Sequence, residues 1–183
     1  MRSITFPRHQ INYLRTCNEM GLIAFRGQPG AWMHDPNQRK MPARRALRLA
    51  DTYLNLSGHN ARRAAREASA MVDVPASRFL RPFAPRLRAL EGLRFRRIAS
   101  GMRQAAAAGA IYHLWWHPHN FGAHLEDNLA MLERILETFR GLALEHGMQA
   151  NTMGEIAAAL AGGQRACEPR EGADATRAAQ API

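Results

Sequence analysis

Three imidazoles and two indoles crowd the eleven residues Tyr112-His113-Leu114-Trp115-Trp116-His117-Pro118-His119-Asn120-Phe121-Gly122, an apolar stretch that ends abruptly at a proline and a glycine. Histidine is the one side chain whose ordinary pKa lets it take up and release a proton near neutrality. His-x-His can also offer two ligands to a metal. In an extended chain, residues two apart share a face, so His113, His117 and His119 would point the same way if the strand ran through all three. Pro118 ends it, which leaves only His113 securely on the strand. Trp115 and Trp116 alternate faces. One is expected to pack inward, and the other to line a pocket, where an indole can stack on a sugar ring. General acid–base chemistry beside an aromatic platform is therefore expected, with His117 and His119 as catalytic candidates and Trp115, Trp116 and Asn120 as substrate-binding candidates.

Arg26 closes a second apolar run and is the third catalytic candidate, because strand ends in parallel α/β proteins face the active site. His34, Asp35 and Asp73 lie in or near loops, and no motif distinguishes them. The other histidines (His9, His34, His59, His124 and His146) are scattered, so no third metal ligand stands at a diagnostic spacing and no metal residue is assigned. The chain contains no glycine-rich phosphate loop, no Gly-x-Ser-x-Gly elbow and no paired carboxylates.

The elements that must position these residues read as a parallel strand–helix–strand grammar. Ser3 to Pro7 reads as a strand, Gln10 to Met20 as a helix stopped by Gly21, and Leu22 to Phe25 as a strand ending in Arg26-Gly27. A loop spans Gln28 to Pro42, and the spacing predicts a helix over 43–56 with Ala46, Leu47, Ala50 and Leu54 on one face. Met71 to Pro75 is a short strand placed at an edge, since Pro75 lacks a ladder donor. One long helix is predicted over 84–108 with Leu87, Leu90, Leu93, Ile98, Met102 and Ala105 as its stripe, and Gly109 ends it before a strand from Ile111 to Trp116. The clearest helix, 127–146, presents Leu129, Leu132, Ile135, Leu136 and Phe139 on one side. Thr152-Met153-Gly154-Glu155 fits a capping box opening a last helix to about Leu160. One domain is expected over 1–160, with 161–183 a disordered tail of Gly, Pro, Ala and balanced charge.

A length of 183 residues with 46% hydrophobic and 22% charged side chains suits one globular domain. The balance is strongly basic, 25 Lys+Arg against 15 Asp+Glu, and Lys40 is the only lysine. Between Arg39 and Arg103 there are 16 basic residues against four acids, Asp51, Glu67, Asp73 and Glu91. Such a surplus invites a nucleic-acid reading. The arginines are irregularly spaced with little aromatic interleaving, so solvated helix faces are the expectation and nucleic acid is not the expected partner. Cys17 and Cys167 stand far apart, supporting neither a disulfide framework nor a cysteine metal knuckle. Met1 to His9 has no apolar core for a signal peptide, and the longest apolar run, about 12 residues from Ala105 to Trp116, is too short to span a bilayer. A cytoplasmic chain without a membrane partner is expected.

Several segments recur in the order of a known family. Ser3-Ile4-Thr5-Phe6-Pro7-Arg8-His9-Gln10 resembles a Phe-Pro-Arg-Asn-Gln segment, with His9 in place of Asn. Ala24-Phe25-Arg26-Gly27 resembles an arginine-bearing third motif. Pro75-Ala76-Ser77-Arg78-Phe79-Leu80-Arg81-Pro82, the His117-Pro118-His119-Asn120-Phe121 run and the closing Thr152-Met153-Gly154-Glu155 follow in the same order. Together these resemble the NodB-homology polysaccharide deacetylases, a family of carbohydrate esterases. The resemblance implies an α/β protein with a distorted (β/α) barrel, of which this chain would form a part, acting on an N-acetylated saccharide polymer. It also implies a divalent metal, zinc, held by an Asp and two His, with a second Asp as general base. His117 is then the candidate general acid, His119 the alternative, and Arg26 the residue holding the base. The family's Thr-Phe-Asp-Asp strand and His-x-x-x-His pair are absent, so the chain reads as a C-terminal portion. The expectation is that it binds no metal alone and is inactive as it stands, leaving as alternatives a saccharide-binding remnant or an Arg-rich nucleic-acid binder.

Overall fold

A computed structural model describes residues 2–7, 10–28 and 42–162 of the chain. Mixed α/β architecture is observed. Strands β1 (Ser3–Ile4), β2 (Ala24–Gly27), β3 (Ala65–Arg66) and β4 (Val72–Pro75) form one sheet in the order β1-β2-β4-β3, and β5 (Arg78–Phe79) pairs with β6 (Leu114–Trp115) in a second. β1, β2 and β4 are parallel, β5 and β6 are parallel, and β3 runs antiparallel to β4. Arg26 lies within β2 in register with Val74, and Gly27 closes the strand opposite Pro75. The expected edge position of β4 is corrected: it lies between β2 and β3. Pro75 is tolerated because it is the last residue of the ladder, where a missing N–H costs least.

The link between the sheets sets up the site. After Pro75 the chain leaves β2, with the Ala76 N–H still donating to the Gly27 carbonyl, 3.3 Å. Ser77 and Arg78 then donate to the His113 carbonyl at 3.0 and 3.2 Å, and Leu80 to the Trp115 carbonyl at 2.8 Å. The Ser77 hydroxyl in turn accepts the His113 N–H at 3.0 Å. One strand run thus serves β2 first and β6 second. The carboxyl ends of β2, β5 and β6 open where the partners change, a place where α/β sheets commonly bind ligands.

Helices cover the sheet. Helix α5 (Met153–Ala161) packs Ile156 and Ala157 on Ala24, Val72 and Val74. Its start is the expected capping box: the Thr152 hydroxyl accepts the Glu155 N–H, and the Glu155 carboxylate accepts the Thr152 N–H. Helices α3 (Glu91–Ala108) and α4 (Leu125–His146) enclose the second core with Leu80, Ile98, Met102, Phe121, Met131, Ile135 and Leu142. Gly109, at φ +57°, ends α3 as its left-handed cap.

Several expectations need correction. Helix α1 is only Leu14–Glu19, because Tyr13 at φ 57° breaks the run from Gln10. Helix α2 (Pro42–Asp51) starts at the proline but stops five residues before Leu56, since the Asp51 carboxylate accepts the Leu56 and Ser57 N–H groups at 3.0 and 2.8 Å and turns the chain. Leu47 and Leu54 are exposed. The helix expected over 84–108 is a 3-10 turn (Pro85–Leu90) followed by α3, kinked at Leu87. On α4 the buried side is Asn128, Met131, Ile135 and Leu142, while Leu129 and Leu136 face water. The strand expected over 111–116 pairs regularly only at Leu114 and Trp115, with Ile111 bridged to Arg62. The loop residues His34 and Asp35 and nearly all of the expected tail lie outside the described residues. Among the described residues no helix is long and apolar enough to cross a membrane.

Candidate functional site

Strand periodicity and the change of partners bring Arg26 and the β6 tip together. The Arg26 guanidinium carbon sits 4.2 Å from the centroid of the Trp115 ring. Trp115, register partner of Phe79, packs on it with ring centroids 4.6 Å apart. The His117 ring meets Trp115 edge-on at 5.5 Å and stands 6.1 Å from Phe79. Pro118 then opens a 3-10 turn (Pro118–Phe121) that folds His119 back onto His117, the two rings stacked at 5.2 Å and 13°. The turn is closed by the Asn120 N–H donating to the His117 carbonyl at 2.9 Å, and it is anchored by buried Phe121.

Four of the six expected site residues, Arg26, Trp115, His117 and His119, therefore form one continuous cluster. His117 and His119 are exposed, and Trp115 and Arg26 are half-buried. Trp116 points elsewhere: its ring lies 5.8 Å from Phe121 and is 36% exposed, so it leans on the core with much of its surface free. Asn120 contributes the backbone bond that shapes the turn. Trp115, with Arg26 over its ring, supports the cluster, and Trp116 is the better-exposed platform.

His113 lies behind the cluster. Burial pushes its pKa down, the Arg26 charge pushes it further, and a hydrogen bond with the Val74 backbone works in the opposite direction. It is therefore a neutral imidazole at neutral pH. Burial likewise lowers the Arg26 pKa. Asp73 is placed away from the cluster, its carboxylate wedged against Gly27, where a Cβ would come within 1.8 Å of Oδ1. Burial first, then Glu67, raises its carboxyl, with Arg62 opposing.

Sequence reasoning missed Phe79, whose place depends on the β5–β6 register. It also missed a buried charge cluster that joins α2, β5 and α3. Asp51 receives Arg78 at 3.2 Å and Arg97 at 3.5 Å, with the Ser57 hydroxyl donating at 2.8 Å. Arg97 also reaches the Gly58 carbonyl and His59 Nδ1, the latter at 3.3 Å. Arg94 pairs with Glu91 and donates to the Arg81 carbonyl. Arg78, Arg94 and Arg97 are at most 8% exposed, so part of the basic surplus is interior rather than solvated. A signal existed: Arg94, Arg97, Ile98, Gly101, Met102 and Ala105 share the helical spacing of a buried face.

The described donor set does not fit the zinc centre that the resemblance implies. Among the described residues no group of three His, Cys, Asp or Glu side chains could hold a metal ion. His117 and His119 are neighbours, but zinc takes each imidazole nitrogen in its ring plane at about 2.0–2.1 Å. Two nearly parallel stacked rings hold their lone pairs in separate planes and do not converge on one ion. No family model, no curated protein and no solved structure matches the chain.

Proposed function

We propose that this chain is a polysaccharide deacetylase-like protein that binds an N-acetylated saccharide at the strand-tip cluster, and that the described strands belong to a partial distorted (β/α) barrel. The observation that carries this is the gathering of Arg26, Trp115, His117 and His119 at the carboxyl ends of parallel strands, with the exposed Trp116 between Trp115 and His117 along the chain. The two exposed imidazoles can exchange hydrogen bonds with hydroxyl and amide groups, and the Trp116 ring can cover the apolar face of a sugar.

Within the family reaction His117 would protonate the leaving amine, with His119 the alternative. The described residues supply neither a metal-held nucleophile nor a carboxylate base beside these histidines, so the chain is proposed to bind the saccharide without hydrolysing it. Calorimetric titration of the chain with N-acetylated oligosaccharides, alongside an acetate-release assay, tests both parts. Binding that weakens at least tenfold in Trp116→Ala, without acetate release, is expected. Absence of binding at millimolar saccharide would overturn the proposal, and robust acetate release would overturn its non-hydrolytic part.

A further inference from the structure

Each of the deeply buried arginines has its carboxylate. Arg78 and Arg97 share Asp51, and Arg94 pairs with Glu91. Arg26 does not fit this pattern. Its guanidinium lies over Trp115, its Nε is out of contact with water and lacks a hydrogen-bond partner, and no ion pair joins it to any described carboxylate. The neighbouring His113, held neutral, supplies no negative charge, and its Nδ1 is likewise buried without a partner. Trp115, on which the guanidinium lies, is packed in turn against Phe79 and His117, and His117 against His119. A half-buried charge with no counter-charge among the described residues gains from one brought by a ligand, and a guanidinium fork on an aromatic face is pre-organised for a planar or tetrahedral oxyanion.

From this we infer that the saccharide taken by the strand-tip cluster is an acidic one, whose carboxylate or phosphate group pairs with Arg26 while its sugar ring meets His117, His119 and Trp116. The inference rests on the saccharide-binding proposal and specifies its ligand class. The net charge of +10 favours the encounter with such a ligand. Trp115 acts through Arg26, fixing the plane in which the fork is presented. Lysine in place of Arg26 would keep the charge and lose both the fork and the flat contact with the indole.

The test compares a neutral chito-oligosaccharide, a hyaluronan tetrasaccharide and an N-acetylglucosamine phosphate, each titrated against the full chain, Arg26→Gln and Arg26→Lys. Arg103→Gln, on the exposed side of α3, controls for general charge, and circular dichroism checks that each variant is folded. The acidic ligands are expected to bind at least tenfold more tightly than the neutral one, with the ratio collapsing towards one in Arg26→Gln and falling partway in Arg26→Lys. The better of the two acidic ligands identifies carboxylate or phosphate as the group recognised. Equal affinity for neutral and acidic saccharides, or a preference that survives Arg26→Gln, overturns the inference and leaves the saccharide proposal standing. Failure of all three saccharides to bind overturns the proposal itself.

Discussion

Arg78 donates one guanidinium nitrogen to the Asp51 backbone carbonyl at 3.0 Å and another to the Asp51 carboxylate at 3.2 Å, so a single arginine holds both ends of the residue that terminates α2. Burial raises the Asp51 carboxyl, but Arg78, Ser57 and Arg97 together outweigh that and leave it below the usual carboxylate range. Two buried cations and one anion make Asp51 the residue on which the cluster depends. Asp51→Asn leaves both guanidiniums without a counter-charge and should lose about 3–5 kcal/mol, the usual cost of breaking a buried pair from one side. Urea unfolding of the variant checks this. A loss under 1 kcal/mol would mean that water reaches the cluster.

Gly101 sits under the Tyr112 ring, and a Cβ there would come within 2.6 Å of Tyr112 Cε2. Alanine in a helix interior normally gains up to about 1 kcal/mol over glycine. Overpacking a buried ring costs about 1–3 kcal/mol. The clash should win, so Gly101→Ala is expected to destabilise the chain, and adding Tyr112→Val should recover part of the loss. A more stable Gly101→Ala would show that the ring slides freely between α3 and β6.

Acid should weaken the fold through its two depressed histidines. His113 is depressed by burial and by Arg26, and His59 by burial and then by Arg97 and Arg78. A histidine with a lowered folded pKa stays neutral in the native chain while the unfolded chain takes up its proton near the ordinary value of about 6.5. Its contribution is whole above that pH and is lost as pH falls through it towards the folded value. The thermal midpoint should therefore drop between pH 7.5 and 5.5, and the drop should be shallower in His113→Asn. An unchanged slope in that variant would remove His113 from this account.

Local signals in the sequence were good guides where one residue decides the outcome. Pro42 starts α2, Gly109 ends α3, and Thr152 with Glu155 caps α5. Long-range pairing decided the rest. Leucines nearly encircle α4, so periodicity alone allowed the face with Leu129 and Leu136; packing against α3 selected Met131, Ile135 and Leu142 instead. The histidine cluster was legible because its types are rare and crowded. Its link to Arg26 rests on a change of strand partner at Ala76 and Ser77, which no local pattern encodes. The same limit hid Phe79 and the Asp51 cluster, whose members come from α2, β5 and α3.

The two tryptophans should separate binding from stability. Trp116 is partly exposed and leans on Phe121 of the core. Its removal should cost less than about 1 kcal/mol, in the range of surface substitutions, while saccharide affinity falls at least tenfold. Trp115 carries Arg26 on its ring and contacts Phe79 and His117. Its truncation opens a cavity at the meeting point of β5 and β6 and should cost about 3 kcal/mol, the lower end for losing a packed tryptophan. It should also erase any preference for acidic over neutral saccharide, because Arg26 loses the surface that orients it. Trp115→Phe keeps an aromatic face and should retain most of that preference. Denaturation and titration of the same three variants give both quantities together. If Trp115→Ala proved as stable as the parent chain, or if Trp116→Ala were the more damaging to stability, the division of labour between a supporting ring and a binding ring would be wrong.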